Sequence, residues 1–230
     1  MRILVLNGSP KREKSDTLHI TRAFLEGMNA EAQNEITIVH VTDRHIAYCT
    51  GCFVCKKNGG VCVIEDDMQD LLREMLESDL IIYSFPLYSY GMPAALKNVV
   101  DRTMPLSSWN MVRDENGKYG HRMQYDVDRI RYLMICGCGY PNSKHNFEGA
   151  VRQFELKYPD HAGIITVPES PMFNIPQAAP FVAPRLAELK AAGAEFLKTG
   201  ALSEETLRTI CSPMIPEEIY AQFANGERTK

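Results

Sequence analysis

The beginning of the chain constrains the fold more than any other segment. Residues 3–6 read Ile-Leu-Val-Leu, a continuous apolar run that is typical of a parallel strand covered on both faces. Gly8 follows closely and lets the backbone turn sharply without a clash from a Cβ atom. The pattern then predicts a helix over residues 16–31. The chain therefore begins with a strand, a tight turn and a helix, which is the unit from which α/β folds are built.

The turn between this strand and this helix has the composition of a phosphate-binding site. A helix N-terminus carries unpaired N–H groups and a partial positive charge, so it attracts anions. The same turn contains the hydroxyl groups of Ser9, Ser15 and Thr17. An ordinary helix cap is the alternative, since serine and threonine are common there. Neither G-x-x-x-x-G-K-[ST] nor G-x-G-x-x-G is present, so the turn differs from those of nucleoside triphosphatases and dinucleotide-binding proteins.

Further apolar segments continue the alternation of strands and helices along the chain. We predict strands over residues 2–7, 36–41, 80–84, 131–136 and 162–167. We predict helices over residues 16–31, 68–76, 94–104, 147–158 and 180–198. The alternation predicts an α/β doubly wound five-stranded parallel sheet with helices on both faces.

The predicted domain has one interruption and one extension. Residues 1–200 are expected to form the domain, and residues 201–230 a helical C-terminal extension. Residues 105–128 are polar and show no clear period. Because an ordinary strand–helix connection is much shorter, we predict that this insertion is a functional flap or an interface element.

Composition excludes several classes of protein. The chain has 230 residues, a formal net charge of −4 and no run of lysine or arginine, so we expect no nucleic-acid partner. No apolar stretch approaches the ~20 residues that span a bilayer, and no export signal is visible. We therefore expect a cytoplasmic protein without a membrane partner. The chain has seven cysteines, and in a reducing compartment clustered cysteines are expected to be ligands or redox groups rather than disulfides.

Three loops are expected to meet at one edge of the sheet, because ligands of such sheets bind outside the carboxyl ends of the strands. These loops are residues 7–17, 85–93 and 136–141. The second contains tyrosines, a glycine and a methionine between two prolines, which suits a flat aromatic ring. The third is rich in glycine and offers backbone N–H groups to a polar ring edge. A phosphate, a ring and a polar edge together predict FMN, although ordinary tight turns remain the alternative.

The chain resembles the flavodoxin-like NAD(P)H-dependent FMN reductase family. The resemblance rests on Leu-Asn-Gly-Ser-Pro at 6–10, Pro-Leu-Tyr-Ser-Tyr-Gly-Met-Pro at 86–93, and Leu96-Lys97-Asn98 with Asp101-Arg102. Residues 119–125 and 138–141 are similar to a longer branch of that family, near the iron–sulfur flavoproteins and the quinone-reducing flavoproteins. The family implies a flavodoxin-like sheet, bound FMN, and often a homodimer or homotetramer.

The resemblance also implies which residues contact FMN. Its phosphate would be surrounded by Ser9, Lys11, Ser15, Thr17 and Leu18. Its ring would lie along Pro86, Leu87, Tyr88, Ser89, Tyr90, Gly91 and Met92. From its own residues, the third loop, with Gly137, Cys138 and Gly139, would face the polar edge of the ring, and packing is the alternative for Cys138. The implied activity is transfer of electrons from NAD(P)H through FMN to a quinone, a flavin or a similar acceptor.

A cysteine-rich segment lies between the second predicted strand and the next helix. Cys49, Cys52, Cys55 and Cys62 have the spacing C-x2-C-x2-C-x6-C, which resembles the compact motif of iron–sulfur flavoproteins. Four thiolates are the usual ligands of a [4Fe–4S] cluster, whereas zinc ribbons pair two distant knuckles. The resemblance therefore implies an alternative function, an electron carrier with FMN and a cluster that serves protein partners. Redox-sensitive loop thiols without a metal remain the other reading, because relatives with flavin alone carry similar cysteines.

Overall fold

The computed structural model describes residues 1–115 and 117–227, and its centre is a five-stranded parallel sheet. The strands are β1 (Arg2–Asn7), β2 (Glu35–His40), β3 (Leu80–Pro86), β6 (Arg131–Gly137) and β7 (Gly163–Val167). Their order is β2-β1-β3-β6-β7, and all neighbouring pairs are parallel. The predicted doubly wound sheet is therefore confirmed.

Helices cover both faces of the sheet. The larger ones are α1 (Asp16–Glu31), α3 (Met68–Glu77), α4 (Ala94–Asp101), α5 (Glu148–Lys157) and α6 (Ala179–Thr199). Helices α1 and α6 bury one face, with Phe24, Leu189 and Phe196 in its core. Their backbones approach so closely that a Cβ atom at Gly193 would lie 1.9 Å from the carbonyl oxygen of Phe24. Helices α3, α4 and α5 cover the other face.

The segment at 105–128 differs from its prediction. It contains a two-stranded antiparallel ribbon, β4 (Ser107–Arg113) and β5 (Tyr119–Met123), where the sequence predicts no regular structure. Both strands are largely exposed, so no alternation of buried and exposed side chains marks them. Residue 116 of this predicted insertion lies outside the described residues.

Other element boundaries differ by a few residues. Strand β3 continues to Pro86 rather than ending at residue 84, because Phe85 and Pro86 pair with β6. Helix α4 ends at Asp101, and a short 3-10 helix follows at Met104–Leu106, where Pro105 cannot continue an α-helix. The short helix α2 (Val54–Lys57) lies within the cysteine-rich segment.

The C-terminal segment contains two further helices, α7 (Glu204–Ile210) and α8 (Glu217–Glu227). Ile210 packs into the core beneath α1 and α6, and the Tyr220 hydroxyl donates to the Gly139 carbonyl oxygen at 3.1 Å. The segment thus contacts the third strand-end loop. The predicted domain boundary at residue 200 stays a prediction, and residues 228–230 of the predicted extension lie outside the described residues. Within residues 1–115 and 117–227, no helix is long and apolar enough to cross a membrane.

Candidate functional site

The first strand-end loop, residues 8–15, turns tightly against β3. The Gly8 N–H donates to the carbonyl oxygen of Ser84 at 2.8 Å. A Cβ atom at Gly8 would lie 2.9 Å from the Leu96 side chain, so the close approach requires glycine. The hydroxyl of Ser9 accepts the Lys11 N–H at 3.3 Å, and Arg12 has a left-handed φ of 53°. The loop is therefore shaped by a backbone hydrogen bond to β3, by the Ser9 hydroxyl and by one strained residue.

Helix α1 begins at this loop with a capped N-terminus. The Ser15 hydroxyl accepts the Leu18 N–H at 3.3 Å, so Ser15 is the N-cap of the helix. Thr17 is fully buried, and its hydroxyl has no hydrogen-bond partner in the part of the chain that the structure describes. An unpaired buried hydroxyl costs about 1–3 kcal/mol, so an oxygen atom of a bound group would stabilise this position. Lys11, by contrast, is exposed and pairs with Asp16 at 2.7 Å.

The third loop meets the first at the side chain of Thr17. A Cβ atom at Gly137 would lie 2.7 Å from the Ser170 Cβ and 3.1 Å from the Thr17 Oγ1. Ser170 begins a short 3-10 helix after β7 and was missed at the level of the sequence. Its position after a strand end, in the run Pro-Glu-Ser-Pro, is the signal that could have indicated it.

The second loop is a tight hairpin turn. Tyr88 and Gly91 exchange both backbone hydrogen bonds, at 3.1 and 3.0 Å, around Ser89 and Tyr90. These two central residues have φ angles of 48° and 63°, which is the pattern of a type I′ turn built without glycine. Such residues store strain of about 1–3 kcal/mol each, and strain of this kind clusters at binding sites.

The second and third loops contact each other through a backbone hydrogen bond and through two aromatic side chains. The Leu87 N–H donates to the Gly137 carbonyl oxygen at 2.7 Å. The rings of Tyr90 and Tyr140 are nearly parallel, with an interplanar angle of 12° and centroids 6.3 Å apart. Both rings are partly exposed, and a Cβ atom at Gly91 would meet no described atom within 4 Å. The second and third loops therefore present an exposed aromatic surface at the carboxyl ends of β3 and β6.

Three of the predicted contact residues are buried or packed against the core. Cys138 is buried in the core, and this burial raises the pKa of its thiol to about 11. Its N–H donates to the Val167 carbonyl oxygen at 3.0 Å, which leaves that amide engaged in the sheet. Leu18 is fully buried, and Met92 packs against the core. The predicted hydroxyls and tyrosines thus lie at the edge of the sheet, whereas these side chains support it.

The four cysteines of the cysteine-rich segment line one narrow pocket of about 30 Å³, together with Arg102 and Pro105. Cys49 and Cys52 are exposed, Cys62 is half-buried and Cys55 is buried. Backbone N–H of Val54 and the Thr50 hydroxyl lower the pKa of the Cys52 thiol. Among the described residues, no group of three or more His, Cys, Asp or Glu side chains is arranged to hold a single metal ion.

A buried ion pair closes the cysteine-rich segment. Both Arg102 guanidinium nitrogens contact the Asp66 carboxylate, at 2.7 and 3.0 Å, and both side chains are almost completely buried. Arg102 also donates to the Ala47 carbonyl oxygen at 2.6 Å and approaches the Cys62 sulfur at 3.7 Å. Burial alone would raise the pKa of Asp66, but Arg102 and two backbone N–H groups outweigh it and hold that pKa below its ordinary value.

Sequence reasoning assigned no role to Arg102 beyond the resemblance. The pairing is invisible in the sequence because its partners are 36 residues apart. A separate cavity of about 370 Å³, lined by Thr103, Tyr132 and Lys157 among others, is not formed by the three strand-end loops.

The strand order and the meeting of three strand-end loops define a doubly wound α/β protein. In sheets of this kind, ligands bind at the carboxyl ends of the strands, at the point where the strand order reverses. The chain belongs to the family with a flavodoxin-like fold, whose sequence pattern matches residues 1–198.

Individual relatives cover shorter stretches. An iron–sulfur flavoprotein of Methanocaldococcus jannaschii is 34% identical over 119 residues, which is 51% of this chain and 59% of that protein. An FMN-dependent NAD(P)H:quinone oxidoreductase of Pseudomonas aeruginosa is 25% identical over 114 residues, 46% of this chain and 54% of that protein. The match thus spans only a little over half the length of these curated relatives.

Solved structures share the fold. The azoreductase of Bacillus anthracis superposes with a TM-score of 0.60 at 16% identity, covering 85% of this chain and 100% of that chain. At this identity the likeness shows the fold alone.

Proposed function

We propose that the protein is an FMN-dependent oxidoreductase that transfers electrons from NAD(P)H to a quinone, a flavin or a similar acceptor. The observation that carries the proposal is the Thr17 hydroxyl, which is buried at the N-terminus of α1, close to Gly137, with no hydrogen-bond partner among the described residues. A phosphate oxygen is the kind of partner that a helix N-terminus favours. The names of relatives with this fold, an iron–sulfur flavoprotein and an FMN-dependent quinone oxidoreductase, support the same class of cofactor.

The residues of the three loops divide the binding among them. Ser9, Ser15 and Thr17 would hold the phosphate, with Lys11 adding attraction from its exposed position. The turn from Tyr88 to Gly91 would support the ring, and its two left-handed residues keep that surface rigid. FMN when bound supplies the redox chemistry, accepting electrons from a nicotinamide and passing them on. The chain's own task is to orient the ring and to present backbone dipoles near Gly139 to its polar edge.

Two measurements test this proposal. The first is flavin affinity by fluorescence quenching in wild type and in Thr17→Val. We expect the Kd for FMN to rise about tenfold, which corresponds to one hydrogen bond of about 1.4 kcal/mol, with the Kd for riboflavin unchanged. Thr42→Val is the matched control, because the Thr42 hydroxyl is also buried without a described partner but follows β2 instead. Equal effects on both flavins would contradict the assignment.

The second measurement is steady-state oxidation of NADH and of NADPH with a quinone as acceptor. Turnover well above that of free FMN supports an enzyme. Turnover no faster than free FMN would contradict the oxidoreductase and leave a flavin-binding protein.

The cysteine pocket favours a second candidate, an electron carrier that holds FMN and a [4Fe–4S] cluster. All four thiols of the motif line one pocket, and the Val54 N–H and the Thr50 hydroxyl lower the pKa of the Cys52 thiol. Hydrogen bonds to cluster sulfurs are a known means of tuning such sites. Cys49, Cys52, Cys55 and Cys62 would be the ligands, because four thiolates are the donor set that such a cluster takes. The thiols would have to move closer together on binding, since the described residues hold no group already arranged around one metal ion.

Anaerobic purification with iron and sulfide analysis tests this candidate. We expect about four iron atoms per chain in wild type, and loss of iron in Cys55→Ser. Cys211→Ser is the control, since Cys211 lies outside the pocket. A flavin spectrum without iron under these conditions would exclude the cluster.

The ribbon offers a surface for self-association, and we propose a cytoplasmic homodimer or homotetramer with this contact. Trp109, Met111, Tyr119 and Met123 expose large apolar side chains on β4 and β5. Exposed apolar clusters mark interaction sites. Light scattering of a variant with Met111→Lys and Tyr119→Lys is expected to show a smaller assembly, and an unchanged assembly would contradict the contact.

A further inference from the structure

Asn7 ends β1 and is completely buried beneath the first strand-end loop. Its amide makes three hydrogen bonds. Oδ1 accepts the Ser9 N–H at 3.1 Å, and Nδ2 donates to the Arg12 carbonyl oxygen at 3.2 Å. Nδ2 also lies 2.8 Å from Nδ1 of His40, the last residue of β2. One side chain therefore holds both ends of the turn from Ser9 to Arg12, and His40 completes its bonding.

The chemistry of these partners determines the direction of every bond. A backbone N–H can only donate and a carbonyl oxygen can only accept, so Ser9 and Arg12 fix the orientation of the Asn7 amide. The second hydrogen on Nδ2 must then point at His40 Nδ1, which accepts it with a lone pair. The imidazole proton consequently lies on Nε2, which donates to Glu13 Oε1 at 2.7 Å. This network requires neutral His40 with its proton on Nε2.

Protonation of His40 would place an N–H against the N–H of Asn7. The repulsion would be relieved by rotating the Asn7 amide, but rotation would turn its NH₂ group toward the Ser9 N–H and its oxygen toward the Arg12 carbonyl. Both bonds to the loop would be lost. The hydrogen bond from His40 Nε2 to Glu13 survives protonation, so protonation directly disturbs only the hydrogen bond between His40 and Asn7.

The charged groups around His40 are few and largely exposed. Glu13 comes from the loop and is paired with Arg22 of α1 at 2.5 Å. Arg12 and Asp43 form an ion pair between the loop and the short 3-10 helix Val41–Asp43 after β2. Because Glu13 is more than half exposed, its attraction for a protonated imidazole is screened by water.

We propose that Asn7 and His40 are a positioning pair for the first strand-end loop, and that affinity for the phosphate of FMN falls when His40 takes up a proton. This inference rests on the proposed function, because it concerns the loop that would hold the phosphate. Neither residue contacts the ligand itself. They act by keeping the backbone of Ser9 and Arg12 in the arrangement that the phosphate meets.

The test compares FMN with riboflavin, which differ only in the phosphate. The ratio of their Kd values is measured between pH 8 and pH 5.5 in wild type, in His40→Gln and in His161→Gln. The FMN phosphate titrates near pH 6 in every case, so His40→Gln provides the baseline. We expect the preference for FMN to fall about tenfold more in wild type and in His161→Gln than in His40→Gln, which corresponds to one to two hydrogen bonds.

A second readout needs no variant. The ¹⁵N chemical shifts of the His40 imidazole in wild type at pH 8 are expected to place its proton on Nε2, and a proton on Nδ1 would overturn the network. An identical pH dependence in wild type and His40→Gln would overturn the inference while leaving the proposed function intact. Failure of both flavins to bind at any pH would overturn the proposed function and this inference with it.

Discussion

The first strand-end loop and the cysteine-rich segment are both candidate cofactor sites, yet they are held in different ways. Most of the first loop is fastened by neighbours in sequence, such as Asn7 to Ser9 and Ser15 to Leu18. The cysteine-rich segment is held by contacts with residues distant in sequence. Arg102 pairs with Asp66, and the ring of Phe53 packs against that of Trp109 on the ribbon, with the ring centroids 5.3 Å apart. A short-range site depends on local turn chemistry, whereas the cysteine pocket depends on the packing of the whole domain.

The largest expected effect comes from breaking the buried ion pair. Arg102→Leu should reduce the free energy of unfolding by about 3–5 kcal/mol, because it leaves the Asp66 carboxylate buried and unpaired. Urea unfolding followed by circular dichroism measures this. The matched control is Lys97→Leu, which removes the exposed pair with Asp101 on the same helix and should cost below about 1 kcal/mol. Similar losses in the two variants would show that the segment does not depend on Arg102.

Thiol reactivity should next separate the cysteine-rich segment from the third strand-end loop. At pH 8 a thiol with a pKa of about 11, such as Cys138, is about one-thousandth thiolate, and the lowered pKa of Cys52 makes it far more reactive. We expect iodoacetamide to label Cys52 at least about a hundredfold faster in protein without bound metal. Mass spectrometry of timed digests measures both rates. Thr50→Val should slow the labelling of Cys52, and comparable rates at the two cysteines would contradict the assigned burial.

A smaller effect is expected where the first and third loops touch. Gly137→Ala would place a methyl group 2.7 Å from the Ser170 Cβ, and such overpacking costs about 1–3 kcal/mol. Melting temperature and FMN affinity should both fall. Gly120→Ala on the ribbon is the control, because that position has no described atom within 4 Å of the added methyl group and lies outside the three loops. An equal response in both variants would argue against the contact at Thr17.

We expect the smallest effect from Lys11, whose exposed ammonium group lies in the first loop. Lys11→Met removes a half-exposed pair with Asp16, so stability should change by less than about 1 kcal/mol. FMN affinity should weaken a few-fold at low salt and hardly at all at high salt, because screening removes the attraction. Titration at two ionic strengths checks this, and a large salt-independent loss would indicate direct binding by Lys11.

Much of the fold could be predicted because its signals are local. The apolar runs at Ile3–Leu6 and in the later strands, and the capping serine at residue 15, each depend on a few neighbouring residues. The ribbon was missed because both of its faces are exposed, which removes the alternation that identifies a strand. Arg102 was missed for a different reason, since its partner Asp66 lies on another element.

The sequence by itself determined the alternation of the five sheet strands with their helices, the turn after β1 and the grouping of four cysteines, since apolar periodicity and turn chemistry act over a few residues. Tertiary structure alone decided that Thr17 faces Gly137 and Ser170, that His40 completes the bonding of Asn7, and that Arg102 closes the cysteine pocket. Those contacts join residues from different elements. Their geometry exists only after the sheet has brought the strand ends to a common edge, and burial then makes each polar group depend on the partner that it finds there.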